Sequence, residues 1–216
     1  MAGKRKSVYV MSRQQRAGIM ILCLFLAAVF IWYDQSRFRN SLRLRPRSEG
    51  RQKTYDIEKY HDLAFTVVYV VDGDTIDINV PDGKYNHTRI RLWGVDTPET
   101  KDPNLPIQYF GPEATDFAAK LAFGRQVTVY MDVPNRTRDK YDRLLAYVQL
   151  PDGSFLNEVL LSEGFAYADV RFRHSFYNKY RQLEAGARSL RKGLWEEVKR
   201  EQLPRWLQRE NPKLLN

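Results

Sequence analysis

Cysteine is almost missing from this 216-residue chain, with Cys23 its single copy. No disulfide can form within the chain, and no zinc site can be built on cysteine pairs. Histidine is nearly as scarce: His61, His87 and His174 are too scattered to suggest a ligand pair. No internal repeat and no low-complexity tract is present. Net charge is also missing from most of the chain. Residues 1–51 carry eleven Lys or Arg against Asp34 and Glu49, which accounts for the whole formal charge of +9, and residues 52–216 balance at 24 basic against 24 acidic. The sequence pI near 9.6 therefore does not by itself make the rest of the chain a binder of polyanions. Within the balanced part, residues 52–170 hold 12 basic against 19 acidic side chains and residues 171–216 hold 12 against 5. An acidic middle suits a divalent cation, and a basic C-terminal part suits either a solvated helix face or contact with a polyanion.

One long apolar run is present. Ala17 to Tyr33 reads AGIMILCLFLAAVFIWY without a charge, and a helix of that length spans roughly 25 Å, near the short end of a membrane crossing. A cleaved signal peptide shares its basic start and apolar middle, but no small-x-small cleavage site follows. The expectation is a basic flank over 1–16, a single transmembrane signal-anchor helix over 17–33 and a basic linker over 34–61. The lipid bilayer would then be a partner through residues 17–33. Arg13 and Arg16 before the run and Asp34 after it favour an N-terminus on the inside. The chain would be a single-pass membrane protein with residues 62 onward on the extracytoplasmic side of a bacterial inner membrane or a mitochondrial one.

Beyond residue 61 the pattern turns to β. Ala64–Val71 is β-branched and aromatic and ends in Asp-Gly-Asp. Thr75–Val80 alternates up to a Pro-Asp-Gly turn, and Thr88–Val95 alternates with Arg89 and Arg91 on one face. These predict an antiparallel meander. Pro112–Phe123 predicts a helix, with proline in the first turn and Gly124 at its end. Gln126–Met131 and Arg143–Leu150 predict two more strands. Phe155–Gly164 and Ser175–Leu190 predict two further helices. Five strands with a helix between the third and fourth predict a small closed β-barrel with helices, an α+β fold of the OB type, over 62–198. Residues 199–216 read as a basic tail.

Three short stretches carry the chemistry. Val71-Asp72-Gly73-Asp74-Thr75 and Val95-Asp96-Thr97-Pro98-Glu99-Thr100 place acids at strand ends, and Lys140-Tyr141-Asp142-Arg143 precedes another strand. Asp74, Asp96 and the carbonyl of Thr97, with water, make a reasonable Ca²⁺ site. Glu99 can orient or deprotonate a water. Arg91 and Arg143 can bind phosphate oxygens and neutralise a five-coordinate transition state. Taken singly, Asp-Gly-Asp is a turn, Glu99 is a loop acid and a strand arginine is a salt-bridge partner; the joint pattern is what suits metal-assisted cleavage of a phosphodiester.

On these residues the chain resembles the staphylococcal nuclease (thermonuclease) family of calcium-dependent nucleases with an OB-fold core. The matching text is VDGDT, an arginine four residues before VDTPET, YFGPEA, and DKYDRLLAYV followed by FLNEVLLSEGFA, within roughly residues 64–196. The resemblance implies metal-binding roles for Asp74, Asp96 and Thr97, and for Asp72 a place beside the metal ligands. It implies catalytic roles for Arg91, Glu99 and Arg143, and contact with a terminal phosphate for Lys140 and Tyr141. It departs at Val170-Arg171-Phe172, where the secreted bacterial enzyme has tyrosines that help hold the base. Arg171 and Phe172 offer substitutes. The implied function is a Ca²⁺-dependent endonuclease acting on DNA and RNA and leaving 3′-phosphate ends, monomeric and without a protein partner. The alternative is a catalytically inactive nucleic-acid-binding module, a class that typically lacks these acids or arginines.

Overall fold

Alternation of apolar and polar residues, broken by tight turns, gives the barrel its strands. The computed structural model of the chain describes residues 49–100 and 107–215. Strands β1 (Leu63–Asp72), β2 (Thr75–Ile78), β3 (Thr88–Leu92), β5 (Gln126–Met131) and β6 (Leu144–Gln149) close in the order β1-β2-β3-β6-β5. β5 returns to pair with β1, and every pairing is antiparallel except β3 with β6. The interior is filled by Val67, Ile76, Ile78, Ile90, Val129, Leu144 and Val148, none of them measurably exposed. This is the five-stranded OB-type barrel with helices that the periodicity predicts.

The strand expected over Thr88–Val95 is shorter. It stops at Leu92, and Val95–Asp96 forms a separate β4 that pairs with β7 (Tyr167–Ala168), a ladder the sequence does not announce. Gly94 makes the break. Its φ of +77° is left-handed, and a Cβ there would run into the His174 ring. The intervening turn is held from several sides. Trp93 donates its backbone N–H to the Ala146 carbonyl at 2.9 Å. Its own carbonyl accepts from Asn157 Nδ2 at 3.0 Å, and its indole Nε1 donates to Asp132 at 2.8 Å. Asn157 belongs to helix α3 (Leu156–Ser162) and also accepts from Val148 N–H at 3.0 Å, so one fully buried amide ties α3 to β6 and to the turn.

Asp132 is a buried hub. Besides Trp93 it receives the hydroxyl of Tyr147 at 2.9 Å, the Asn135 amide at 2.9 Å, and both the N–H and hydroxyl of Ser175 at 2.9 and 2.6 Å. Burial opposes its charge, but the Ser175, Asn135 and Trp93 hydrogen bonds win and hold the carboxyl at about 2.

Helix α2 (Gly111–Ala122) starts with its proline in the first turn and buries Ala114, Ala118 and Ala122. Helix α4 (Tyr177–Ser189) buries Tyr180, Glu184 and Ala187. Two expectations for the flanking segments are corrected. Residues 53–60, read as part of a linker, belong to a helix α1 over residues 49–60. Asp56 and Tyr60 are buried, and Asp56 pairs with Arg138 at 2.8 Å and accepts from Thr137 Oγ1 at 2.7 Å. Residues beyond 198, read as a basic tail, form a 3-10 turn over Arg200–Gln202 and helix α5 (Arg205–Glu210), which follow a 3-10 turn at Gly193–Glu196. Leu203, Trp206 and Leu207 pack against Tyr167, Ala187, Leu194 and Trp195. Charge hid both segments, because one or two buried residues per turn leave no strong periodicity.

The membrane expectation is corrected as well. Among the described residues no helix is long and apolar enough to cross a bilayer. The longest of the named helices, α4, has 13 residues and includes Lys179, Arg181, Glu184 and Arg188. Residues 17–33, on which the single-pass localisation and the bilayer partner rested, lie outside the described residues.

Asp132→Ala would leave the Trp93 indole, the Tyr147 hydroxyl and the Ser175 amide without their acceptor, at a cost on the order of 3–5 kcal/mol. The Asp132 carboxyl has a lower pKa folded than unfolded, so its contribution is complete above about pH 4 and fades as pH falls toward about 2. Urea unfolding of wild type and variant at pH 7 and pH 3 checks both: the gap between them should narrow at the lower pH.

Candidate active site

A single cleft of ≈ 730 Å³ is lined by Asp72, Asp74, Arg91, Asp96, Thr97, Glu99, Lys140, Tyr141 and Arg143. All nine residues singled out in the sequence thus meet in one place, although they come from three separated stretches. The barrel explains how. Asp74 sits in the β1–β2 turn, and its carbonyl accepts the N–H of Leu92 at 2.9 Å. Arg91 pairs across to Thr75 on β2 and to Leu145 on β6. The Gly94 break then turns Asp96 back toward Arg91.

At the centre, one guanidinium serves two carboxylates. Arg91 Nη2 lies 2.5 Å from Asp96 Oδ1, while Nη1 faces Asp74 Oδ2 as an ion pair without hydrogen-bond alignment. Burial pushes the Arg91 guanidinium below its usual range and Arg143 adds to that; Asp96 works the other way. Asp74 also accepts from the Thr97 N–H at 2.8 Å and from the Thr75 hydroxyl at 2.9 Å. Gly73 permits this approach, because a Cβ on it would fall 2.8 Å from Thr97 Cγ2.

Among the described residues no three His, Cys, Asp or Glu side chains converge as a ready-made metal cage. A cation here would be held by the Asp74 and Asp96 carboxylates, the Thr97 carbonyl and water. The donors are all oxygens and suit a hard divalent ion. One further observation fits: the Thr97 hydroxyl is buried and has no hydrogen-bond partner, an oxygen left over beside Asp74.

Glu99 is held by its loop. Its N–H donates to Gln108 Oε1 at 3.0 Å, Gln108 N–H returns to its carbonyl at 3.0 Å, and its Oε1 accepts from Thr100 N–H at 3.0 Å. Asp72 accepts from the hydroxyls of Thr100 and Thr115 at 3.0 and 3.1 Å, fastening that loop and α2 to the end of β1. Arg143 is aimed by Asp139, whose carboxylate receives its Nε at 2.7 Å and its backbone N–H at 3.0 Å. Arg143 Nη1 reaches toward the Thr75 hydroxyl at 3.5 Å. Tyr141 stands 67% exposed at the rim with Lys140 Nζ 4.7 Å from its ring centre.

Several residues of the cleft are missed by sequence reasoning. Asp139 lies inside the quoted DKYDR stretch, yet nothing in its spacing marks it as the residue that aims Arg143. His174, set aside as scattered, lines the cleft with Nδ1 3.1 Å from the Tyr147 hydroxyl, and burial lowers its pKa. Arg171, named in the sequence as a substitute for the base-holding tyrosines, has a further contact that reading did not foresee: it donates from Nε and Nη2 to Asp169, both at 2.8 Å, and lies 3.3 Å from Asp96. Trp206, in the supposed tail, donates its indole N–H to Asp96 Oδ2 at 2.7 Å.

Comparison with known proteins gives a consistent picture. A family model described as "Staphylococcal nuclease homologue" matches residues 89–197. The chain is 36% identical over 147 residues to a protein named thermonuclease from Staphylococcus hyicus, covering 68% of this chain and 83% of that one. It is 40% identical over 140 residues to a thermonuclease from Staphylococcus intermedius, covering 62% and 76%. It is 34% identical over 152 residues to endonuclease YncB from Bacillus subtilis strain 168, covering 69% and 66%.

The β4–β7 ladder that carries Asp96 rests on α4, where buried Glu184 accepts the Ala168 N–H at 3.2 Å. Burial pushes this carboxyl up to about 7, against the pull of Ala168 N–H and of Arg188. Folding therefore takes up a proton between about pH 4.5 and 7, and stability falls as pH rises through that window, by on the order of 2–3 kcal/mol. Glu184→Gln should flatten this slope; denaturation at pH 5 and pH 8 measures it.

Proposed function

Because the chain belongs to the staphylococcal nuclease homologue family, we propose that it is a Ca²⁺-dependent endonuclease hydrolysing phosphodiester bonds of DNA and RNA to leave 3′-phosphate ends. The observation that carries this reading is the meeting of two aspartates, two arginines and a glutamate in one cleft. Asp74, Asp96 and the Thr97 carbonyl would hold the calcium ion, with Asp72 fixing the neighbouring loop. When bound, the ion supplies positive charge beside the scissile phosphate and makes a coordinated water more acidic.

The chain's own residues do the rest. Arg91 and Arg143 take the non-bridging oxygens of the phosphate and stabilise the extra negative charge as phosphorus becomes five-coordinate. Glu99 receives a proton from the attacking water. The water oxygen bonds to phosphorus, the bond to the 5′-oxygen breaks and that oxygen takes a proton from solvent to leave as a 5′-hydroxyl, and the phosphate stays on the 3′ side. Lys140 and Tyr141, at the rim, contact a terminal phosphate of the substrate. Phe172 lies on the same cleft beside Arg171 and Arg136, whose guanidinium carbon is 5.1 Å from its ring centre, a surface on which a base can stack.

Charge supports a need for the cation. Six carboxylates and six Lys or Arg side chains line the cleft, so the protein alone offers a polyanion no net attraction. A divalent ion tips that balance to the positive side.

Full-length protein should degrade single-stranded DNA and RNA with Ca²⁺ and stop when a chelator is added. Glu99→Ala and Arg143→Ala should each lower turnover by roughly 10²–10⁴-fold, with circular dichroism unchanged. End-labelling of the products reads out the 3′-phosphate. Wild type as inactive as both variants, while still retaining nucleic acid on a filter, would replace the enzyme by a binding module.

A further inference from the structure

Helix α5 lies beyond residue 197, where the family match ends, yet one of its side chains bonds a carboxylate of the cleft. Trp206 is only 7% exposed and points its indole N–H at Asp96 Oδ2, 2.7 Å away. The geometry is specific to one oxygen. Asp96 Oδ1 faces Arg91 at 2.5 Å and Arg171 at 3.3 Å, whereas Oδ2 receives the indole. Arg171 in turn lies over the Trp206 ring at 4.5 Å, so the ring also carries the guanidinium that flanks Asp96. Leu203 and Leu207, both buried beside Trp206, hold the helix against Tyr167 and Trp195. Tyr167 is paired with Asp96 across the β4–β7 ladder, so packing and hydrogen bond act on the same short strand.

We propose that Trp206 is a positioning residue for the cation ligand Asp96: it fixes the rotation of the carboxylate and so presets the cation site, a task given to a C-terminal extension outside the matched family segment. This rests on the reading of Asp96 as a cation ligand. β4 is two residues long and cannot fix a side-chain rotamer by strand pairing alone. Two guanidiniums pull on Oδ1, and without a donor on Oδ2 the carboxylate would turn toward them, with both oxygens engaged by arginine. A neutral indole N–H holds Oδ2 apart from the guanidiniums and adds no positive charge to repel the ion. Partners that orient metal ligands are typically worth 10–100-fold in metal affinity.

The test is calorimetric titration of the full-length protein with CaCl₂, on wild type, on Trp206→Phe, and on protein carrying β-(3-benzothienyl)alanine at 206. The last keeps the shape of the bicyclic ring and replaces only the N–H by sulfur. Both replacements should weaken Ca²⁺ binding by about tenfold or more. Half-maximal Ca²⁺ for DNA cleavage should rise in parallel, with the rate at saturating Ca²⁺ within about twofold of wild type. The isostere should keep the thermal midpoint of wild type, which separates positioning from support of the fold. Unchanged or tighter Ca²⁺ binding in the isostere overturns the proposal, tighter binding meaning that the indole blocks the site. A wild type that binds no Ca²⁺ sinks the cation reading itself, a result distinct from either of these.

Discussion

The buried guanidinium of Arg91 is the interaction on which the cleft depends. Two aspartates brought together in a poorly hydrated space repel one another, and each would swing outward without a fixed positive partner. Arg91 stands between Asp74 and Asp96 and offsets that repulsion, so both carboxylates stay turned inward. Its own burial is costly, as its lowered pKa direction reflects. The barrel makes that burial tolerable by pinning Arg91 at the parallel junction of β3 with β6. In the proposed mechanism the same group meets the charge of the phosphate.

Around this centre the fold invests its polar contacts in one turn. Arg91 and Asp96 lie five residues apart, and they face each other because the chain between them reverses at Gly94 and is gripped through Trp93. The grip comes from Asp132, Asn157 and the Ala146 carbonyl, supplied by distant parts of the chain. Precision at the site is therefore purchased outside it. Asp139, which aims Arg143, and Gln108, which holds the Glu99 backbone, follow the same logic on the other two sides of the cleft.

Much of this was legible in the sequence, for identifiable reasons. β-branched runs ended by Asp-Gly-Asp and Pro-Asp-Gly mark strands and turns by local sterics alone, and the barrel follows from their number and spacing. Asp74, Asp96, Thr97, Glu99, Arg91 and Arg143 could be singled out because acids and arginines cluster near strand ends, while Asp72, Lys140 and Tyr141 came from the family resemblance. What could not be read depends on contacts between segments far apart. The β4–β7 ladder has two residues on each side, too short for any periodicity. Helix α1 contributes Asp56, whose role exists only opposite Arg138. Trp206 sits among Arg205, Gln208 and Arg209, and nothing local separates it from an exposed tryptophan in a basic tail. His174 was dismissed on sequence distance, which a closed barrel makes a poor measure of distance in space.

The parallel pairing of β3 with β6 also orders events in time. Residues 90 and 144 meet there after more than fifty intervening residues, whereas the β1–β2 and β2–β3 hairpins close over short loops. Loop-closure entropy makes the hairpins early and the seam late. Arg91 sits on that seam, and Arg143 immediately precedes the strand that completes it. Arg91 and Arg143 are thus brought together only when β6 joins β3, so the two guanidiniums share a cleft only in the closed barrel.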